Sequence, residues 1–152
     1  MPSLEGRGRF PKSSRVLTKR EYDRIHRQGI RVHRPDFTII CARAKSGPRF
    51  GCAVSRKVGN AVVRNRLKRL MREVFRQSSQ HLPSVDLVVI LRPSAAGLAR
   101  GGLVSMAEAL IPAWREAIQR IEKAPPRKRR RAPGGSPRTK PRSSEEDERR
   151  RR

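Results

Sequence analysis

The run Val85-Asp86-Leu87-Val88-Val89-Ile90-Leu91 constrains the fold more than any other stretch of the chain. It is nearly continuously apolar and rich in β-branched residues, the pattern of a strand covered on both faces in the middle of a sheet. Arg92-Pro93 ends it, because the residue before a proline and the proline itself leave the ladder. Phe37 to Ala42 and Phe50 to Ser55 also read as strands. Ser46-Gly47-Pro48 between them is turn chemistry, so an antiparallel hairpin is expected. A regular hairpin would place Cys41 and Cys52 near each other across the pair.

Helical segments flank these strands. Thr18-Lys19-Arg20-Glu21 has the form of a capping box, and Gly29 ends the helix that follows. Leu17, Tyr22 and Ile25 are expected to share its apolar face. A final helix is expected over about 102–122, with Leu103, Ala107, Leu110, Trp114, Ala117, Ile118 and Ile121 at helical spacing. Pro112 lies inside that pattern and should bend or break it. Trp114, whose spacing neighbours are all apolar, reads as core rather than as a binding platform. Residues 1–14, rich in Gly, Pro, Ser and Arg, read as a loose segment. From Ala124 to Arg152 the chain holds 12 Lys/Arg, five prolines and no large apolar residue, a composition that stays disordered. One folded domain over 15–123 remains.

Charge decides the class of partner. The 152 residues carry 38 Lys and Arg against 13 Asp and Glu, a net of +25. Residues 1–123 alone hold 26 basic and 9 acidic residues, a net of +17, so the excess belongs to the folded part and not only to the tail. Like charges in a compact body repel, and a polyanion turns that cost into binding energy through phosphate contacts and counterion release. No apolar run approaches the roughly 20 residues of a spanning helix, and residues 1–20 lack the apolar stretch of a secretory signal. A cytoplasmic location and no membrane partner are expected. Cys41 and Cys52, with His26, His33 and His81, show no metal-ligand spacing, and the cysteines read as small buried hydrophobes.

The segment Asn60 to Gln77 gives the partner its chemistry. On a helix, Val63, Leu67, Leu70, Met71, Val74 and Phe75 form one apolar stripe. Arg64, Asn65, Lys68, Arg69, Arg72 and Arg76 gather opposite, with only Glu73 to neutralise them. Cations four apart on one face repel. A face of one sign therefore points to bound phosphates, which guanidinium groups grip bidentately. Asn60 supplies the cap, free N–H groups at that end suit a further phosphate, and Arg56 and Lys57 extend the surface into the preceding loop.

The stretch Ser55-Arg56-Lys57-Val58-Gly59-Asn60-Ala61-Val62-Val63-Arg64-Asn65-Arg66-Leu67-Lys68-Arg69 closely resembles the signature of the bacterial ribonuclease P protein component, centred on Arg64-Asn65-Arg66. The resemblance covers roughly residues 15–122. It implies an α/β (α+β) two-layer sandwich, a mixed four-stranded sheet packed with about three helices, with a left-handed strand–helix–strand crossover. It further implies a ribonucleoprotein in which a catalytic RNA subunit, with bound Mg²⁺, removes the 5′ leader of precursor tRNA. The protein binds that RNA and the leader, holds no cofactor alone, and needs no protein partner. Carried over, Arg56, Lys57, Asn60, Arg64, Asn65, Arg66, Lys68, Arg69, Arg72 and Arg76 bind RNA. Tyr22, His26 and Ile40 fall in the leader cleft, where His26 and Ile40 replace aromatics of some relatives. Tyr22 fits core packing as well as base stacking.

Two other classes fit less well. A protein nuclease needs clustered carboxylates for Mg²⁺, whereas Asp23, Asp36 and Asp86 lie on separate elements. A ribosomal-type or other general RNA-binding protein fits the composition and the basic helix but not the whole motif. A helix-turn-helix reader of DNA is disfavoured because the basic helix follows a strand. The tail is expected to add RNA affinity with little specificity.

Overall fold

The structure, a computed structural model, describes residues 10–126. The tail beyond 126 and residues 1–9 lie outside the described residues, and with them most of the expected disorder. The order of elements is α1 (Lys19–Gln28), β1 (Ile30–His33), β2 (Phe37–Arg43), β3 (Arg49–Val54), α2 (Ala61–Ser78), β4 (Val85–Leu91) and α3 (Leu98–Lys123). Short 3₁₀ turns occupy Lys12–Ser14, Ser79–His81 and Pro93–Gly97. Among the described residues no helix is long and apolar enough to cross a membrane.

The four strands form one mixed sheet in the order β1-β2-β4-β3. β4 is central, as its composition requires: it pairs antiparallel with β2 and parallel with β3. The expected hairpin is therefore absent. β2 and β3 are both strands, but β4 lies between them, because the most apolar strand takes the position with two neighbours. Cys41 stands opposite Leu87 and Cys52 opposite Val89, so the two thiols flank β4 rather than meet. Both are free, and burial pushes the Cys41 thiol up to about 12. β1, four residues directly after Gly29, pairs with β2.

Pleating sorts the side chains into two layers. Phe37, Ile39, Cys41, Phe50, Leu87, Val89 and Leu91 point into the main core, where they meet α2 and α3. Its centre is aromatic. Phe75 stacks on Phe50 at 5.1 Å between ring centroids, and Trp114 meets both rings edge-on at 6.1 and 6.2 Å. Phe10 closes this cluster, 5.5 Å from Phe75, and Arg15 lies over the Phe10 ring while donating to its carbonyl. The opposite layer carries Ile40, Ala42 and Val88 beneath Ile25 of α1.

Two local expectations, the inward place of Leu17 and the break at Pro112, need correction. Leu17 is 59% exposed, and Val16 takes the inward place beside Ile25. The cause is the Val16 N–H, which donates to the Phe50 carbonyl along the free edge of β3 and turns the next side chain outward. The long final helix runs on from Gly102 (φ 68°, ψ −156°) to Lys123, close to the expected bounds, and a leading helical turn over 98–101 precedes that break. Helical dihedrals continue through Pro112 instead. The carbonyl its missing N–H leaves free belongs to exposed Glu108, where water can satisfy it.

Candidate nucleic-acid interface

The loop between β3 and α2 is built to present cations. Val58 is buried and pins the loop to the core, while Ser55, Arg56 and Lys57 stay exposed. Asn60 caps α2, its Oδ1 accepting from the Val63 N–H at 3.0 Å. Leu67, Met71, Val74 and Phe75 are buried against the sheet and α3, with Val63 and Leu70 partly so. This fixes the rotation of α2 and turns its basic side outward.

On that side Asn65, Arg66, Arg69 and Arg72 are exposed, and Arg64, Lys68 and Arg76 partly so. The one acid, Glu73, is already engaged. Arg76 Nε donates to its Oε2 at 2.9 Å, and Gln77 donates to its Oε1 at 3.0 Å. The Arg76 hydrogen bond holds the Glu73 carboxyl below its ordinary range. Arg66 Nε donates to the Ala99 carbonyl at 2.7 Å. Arg56, Lys57, Arg64, Lys68, Arg69 and Arg72 make no ion pair among the described residues. Arg64 Nε is buried without an acceptor, an unmade hydrogen bond worth about 1–3 kcal/mol. An open groove of about 880 Å³ follows this helix, lined by Val62, Asn65, Arg66, Lys68, Arg69, Leu70, Arg72, Glu73 and Leu103.

The second surface lies on the α1 side of the sheet. Tyr22 is half-buried over β3, so close to Gly51 that a Cβ there would stand 2.6 Å from its hydroxyl oxygen. Burial raises its phenol pKa, and the Arg72 charge acts in the opposite sense. Burial likewise raises the Cys52 thiol, opposed by Arg72 and Lys68. His26 is half-buried on α1, whereas Ile40 is fully buried and forms floor beneath α1 with no surface to offer a ligand.

Sequence reasoning does not reach the next row of this face. His33, Thr38, Ile90 and Ala53 stand side by side across the four strands. His33 Nδ1 is hydrogen-bonded to Thr38 Oγ1 at 3.2 Å, and Arg92 donates to the same oxygen at 3.4 Å. His33 and Ala53 are exposed and Ile90 half-buried, so the row is open beside Tyr22 and His26. Only the strand register reveals it.

A buried ion-pair network holds α1 on the sheet. Asp86, fully buried on β4, accepts from Arg24 of α1 and from Arg49 Nε and Nη2 at 2.7 and 3.0 Å. Arg49 Nη1 also donates to Glu21 at 2.7 Å. The Asp86 hydrogen bond raises the Arg49 pKa further. The backbone N–H groups of Leu17 and Thr18, then Arg49, lower the Glu21 carboxyl to about 2. Asp23 pairs with Lys19 at the surface and Asp36 stands apart, so the three aspartates do not converge. Among the described residues no three acidic, His or Cys side chains cluster for a metal ion.

The family model for Ribonuclease P matches residues 10–117, nearly all of the described body. The chain belongs to the ribonuclease P protein family. Similar relatives include the ribonuclease P protein components of Vibrio parahaemolyticus and Proteus mirabilis. The first is 46% identical over 91 residues, 59% of this chain and 77% of that protein. The second is 35% identical over 117 residues, 76% of this chain and 96% of that protein. Among solved structures, the Staphylococcus aureus RNase P protein matches with a TM-score of 0.64 at 29% identity, covering 70% of this chain and 96% of that one. The Thermotoga maritima RNase P protein matches at 0.59 with the same identity and coverage. The ribonuclease P family match spans the whole basic helix, its loop and the α1 cleft. A general RNA-binding or ribosomal-type assignment is accordingly not favoured.

Proposed function

We propose that this chain is the protein subunit of a cytoplasmic ribonuclease P ribonucleoprotein, in which an RNA subunit cleaves the 5′ leader from precursor tRNA. The observation that carries the reading is the outward face of α2 and its loop, six cations with no ion pair among the described residues. Each phosphate bound there releases counterions, so six contacts make affinity fall by roughly 10³-fold between about 50 and 200 mM salt. Arg64, Lys68, Arg69 and Arg72 bind the catalytic RNA backbone, with Asn65 free to meet a base edge or a ribose hydroxyl. Arg56 and Lys57 continue the track toward the cleft.

The cleft beside α1 takes the leader. Its row of His33, Thr38, Ile90 and Ala53 is flat and partly open, with Tyr22 and His26 at its side. Such a surface suits an extended single strand, held by stacking and by backbone contacts rather than by base readout. The protein's own acids do not fit a Mg²⁺ site: Asp86 is saturated by two arginines, Glu21 by Arg49, and Glu73 by Arg76. The Mg²⁺ of the holoenzyme belongs with RNA phosphates in this account, and the protein's part is to bind, orient and screen charge.

The test is the salt dependence of binding to a bacterial ribonuclease P RNA. Replacing Lys68, Arg69 and Arg72 together by Gln should lower the slope of log affinity against log salt by about two to three contacts. An unchanged slope would remove the basis of the proposal.

A further inference from the structure

α3 does not begin as one rod. Gly102, at φ 68° and ψ −156°, takes a backbone conformation essentially confined to glycine and separates a leading turn, residues 98–101, from the long helix packed on the sheet. In an unbroken helix the Ala99 carbonyl would accept from the N–H four residues on, beyond that break. Arg66 Nε instead donates to it at 2.7 Å. The central basic helix therefore spends one edge of its Arg66 guanidinium on protein, unlike Arg64, Lys68, Arg69 and Arg72 around it. Leu103, just past the break, lines the same groove as Asn65, Arg66 and Arg69, so the turn borders the basic track. The turn carries Arg100, whose exposed side chain has no hydrogen bond or ion pair among the described residues.

We propose that Arg66 is a positioning residue that clamps the leading turn of α3 onto α2, and that Arg100 on that turn is an additional phosphate contact of the same RNA surface. The inference rests on the reading of α2 as the RNA-binding face. It divides labour within the Arg64-Asn65-Arg66 element, whose two arginines look equivalent in sequence. A bidentate grip on phosphate needs a free edge of the guanidinium fork; Arg100 retains both edges, whereas Arg66 gives up the Nε edge to Ala99 and keeps only the Nη1–Nη2 edge.

The experiment uses the full chain and a bacterial ribonuclease P RNA, with affinity measured against salt for Arg66→Met, Arg100→Met, both together, and Arg69→Met. Arg100→Met should remove about one contact, a slope change of roughly 0.7–0.9, so that over an approximately fourfold salt rise it loses about threefold less affinity than the parent. Arg66→Met should remove the same amount, and the double variant no more than either single one. Arg100 stands at an exposed position, so its variant keeps the fold even if Arg66→Met melts lower. A parental slope for Arg100→Met overturns the proposal. So does a double variant that loses two contacts, because Arg66 would then bind phosphate itself. If Arg69→Met also leaves the slope unchanged, the RNA-face reading fails and takes this inference with it.

Discussion

Asp86→Asn removes one charge from the only fully buried carboxylate among the described residues while keeping its shape. Asp86 accepts three hydrogen bonds, one from Arg24 and two from Arg49, and those guanidinium groups are only 33% and 22% exposed. An amide oxygen can satisfy one arginine, but the new amide N–H groups face donors of the other. Breaking a buried pair by removing one partner costs about 3–5 kcal/mol. Partial exposure of Arg24, and the Glu21 pair left to Arg49, place the expected loss at the low end, about 3 kcal/mol. For a body of this size that is a melting temperature lower by roughly 10–20 °C. Thermal unfolding followed by far-ultraviolet circular dichroism measures it. The salt slope of RNA binding should stay at the parental value, because α2 packs against the other face of the sheet. A loss under about 1 kcal/mol would refute the reasoning that this network fixes α1.

Other perturbations test separate parts of the structure. The folded Glu21 carboxyl lies near 2 against an ordinary 4.5, so its stabilisation is complete above about pH 4.5 and is lost as pH falls toward 2. Discounted for screening, Glu21→Gln should cost about 1–2 kcal/mol at neutral pH and flatten the acid limb of the stability curve; an unaltered limb counts against this. Gly51→Ala drives a methyl to 2.6 Å from the Tyr22 hydroxyl and 3.0 Å from Val16. It should cost about 1–3 kcal/mol and weaken the holoenzyme's preference for precursor over mature tRNA, and an intact preference would take Tyr22 out of the leader path. Phe75→Ala empties the centre of the aromatic cluster and should cost about 3–5 kcal/mol in chemical denaturation; a cost under about 2 would mean that the cluster collapses onto the gap.

What the sequence disclosed was local, and what it concealed was pairing. The Thr18 capping box, the Asn60 cap, the α2 stripe and the buried run at 85–91 are each written in consecutive residues, and each appears as expected. The partner of a strand is not written that way. Ser46-Gly47-Pro48 is a genuine turn signal, yet the chain uses it to cross to the far side of β4, whose two-sided burial outweighs the local preference for a hairpin. Pro112 and Gly102 illustrate the same limit: an exposed proline leaves a carbonyl that water can satisfy, while the glycine takes dihedrals no composition rule announces. In the candidate site the basic helix was legible because charge and periodicity coincide there. The tie of Arg66 to Ala99, the Asp86 network and the open His33–Ala53 row depend on register and on contacts between residues far apart in sequence.

The central claim is that this protein assists an RNA catalyst. Cleavage of precursor tRNA by a bacterial ribonuclease P RNA, at Mg²⁺ too low for the RNA to work well alone, tests it most directly. The account predicts faster cleavage at the mature 5′ end when the protein is added, no cleavage by protein without RNA, and loss of the gain when Lys68, Arg69 and Arg72 are replaced by Gln. No stimulation at any salt or Mg²⁺ concentration, or cleavage by the protein alone, would contradict it.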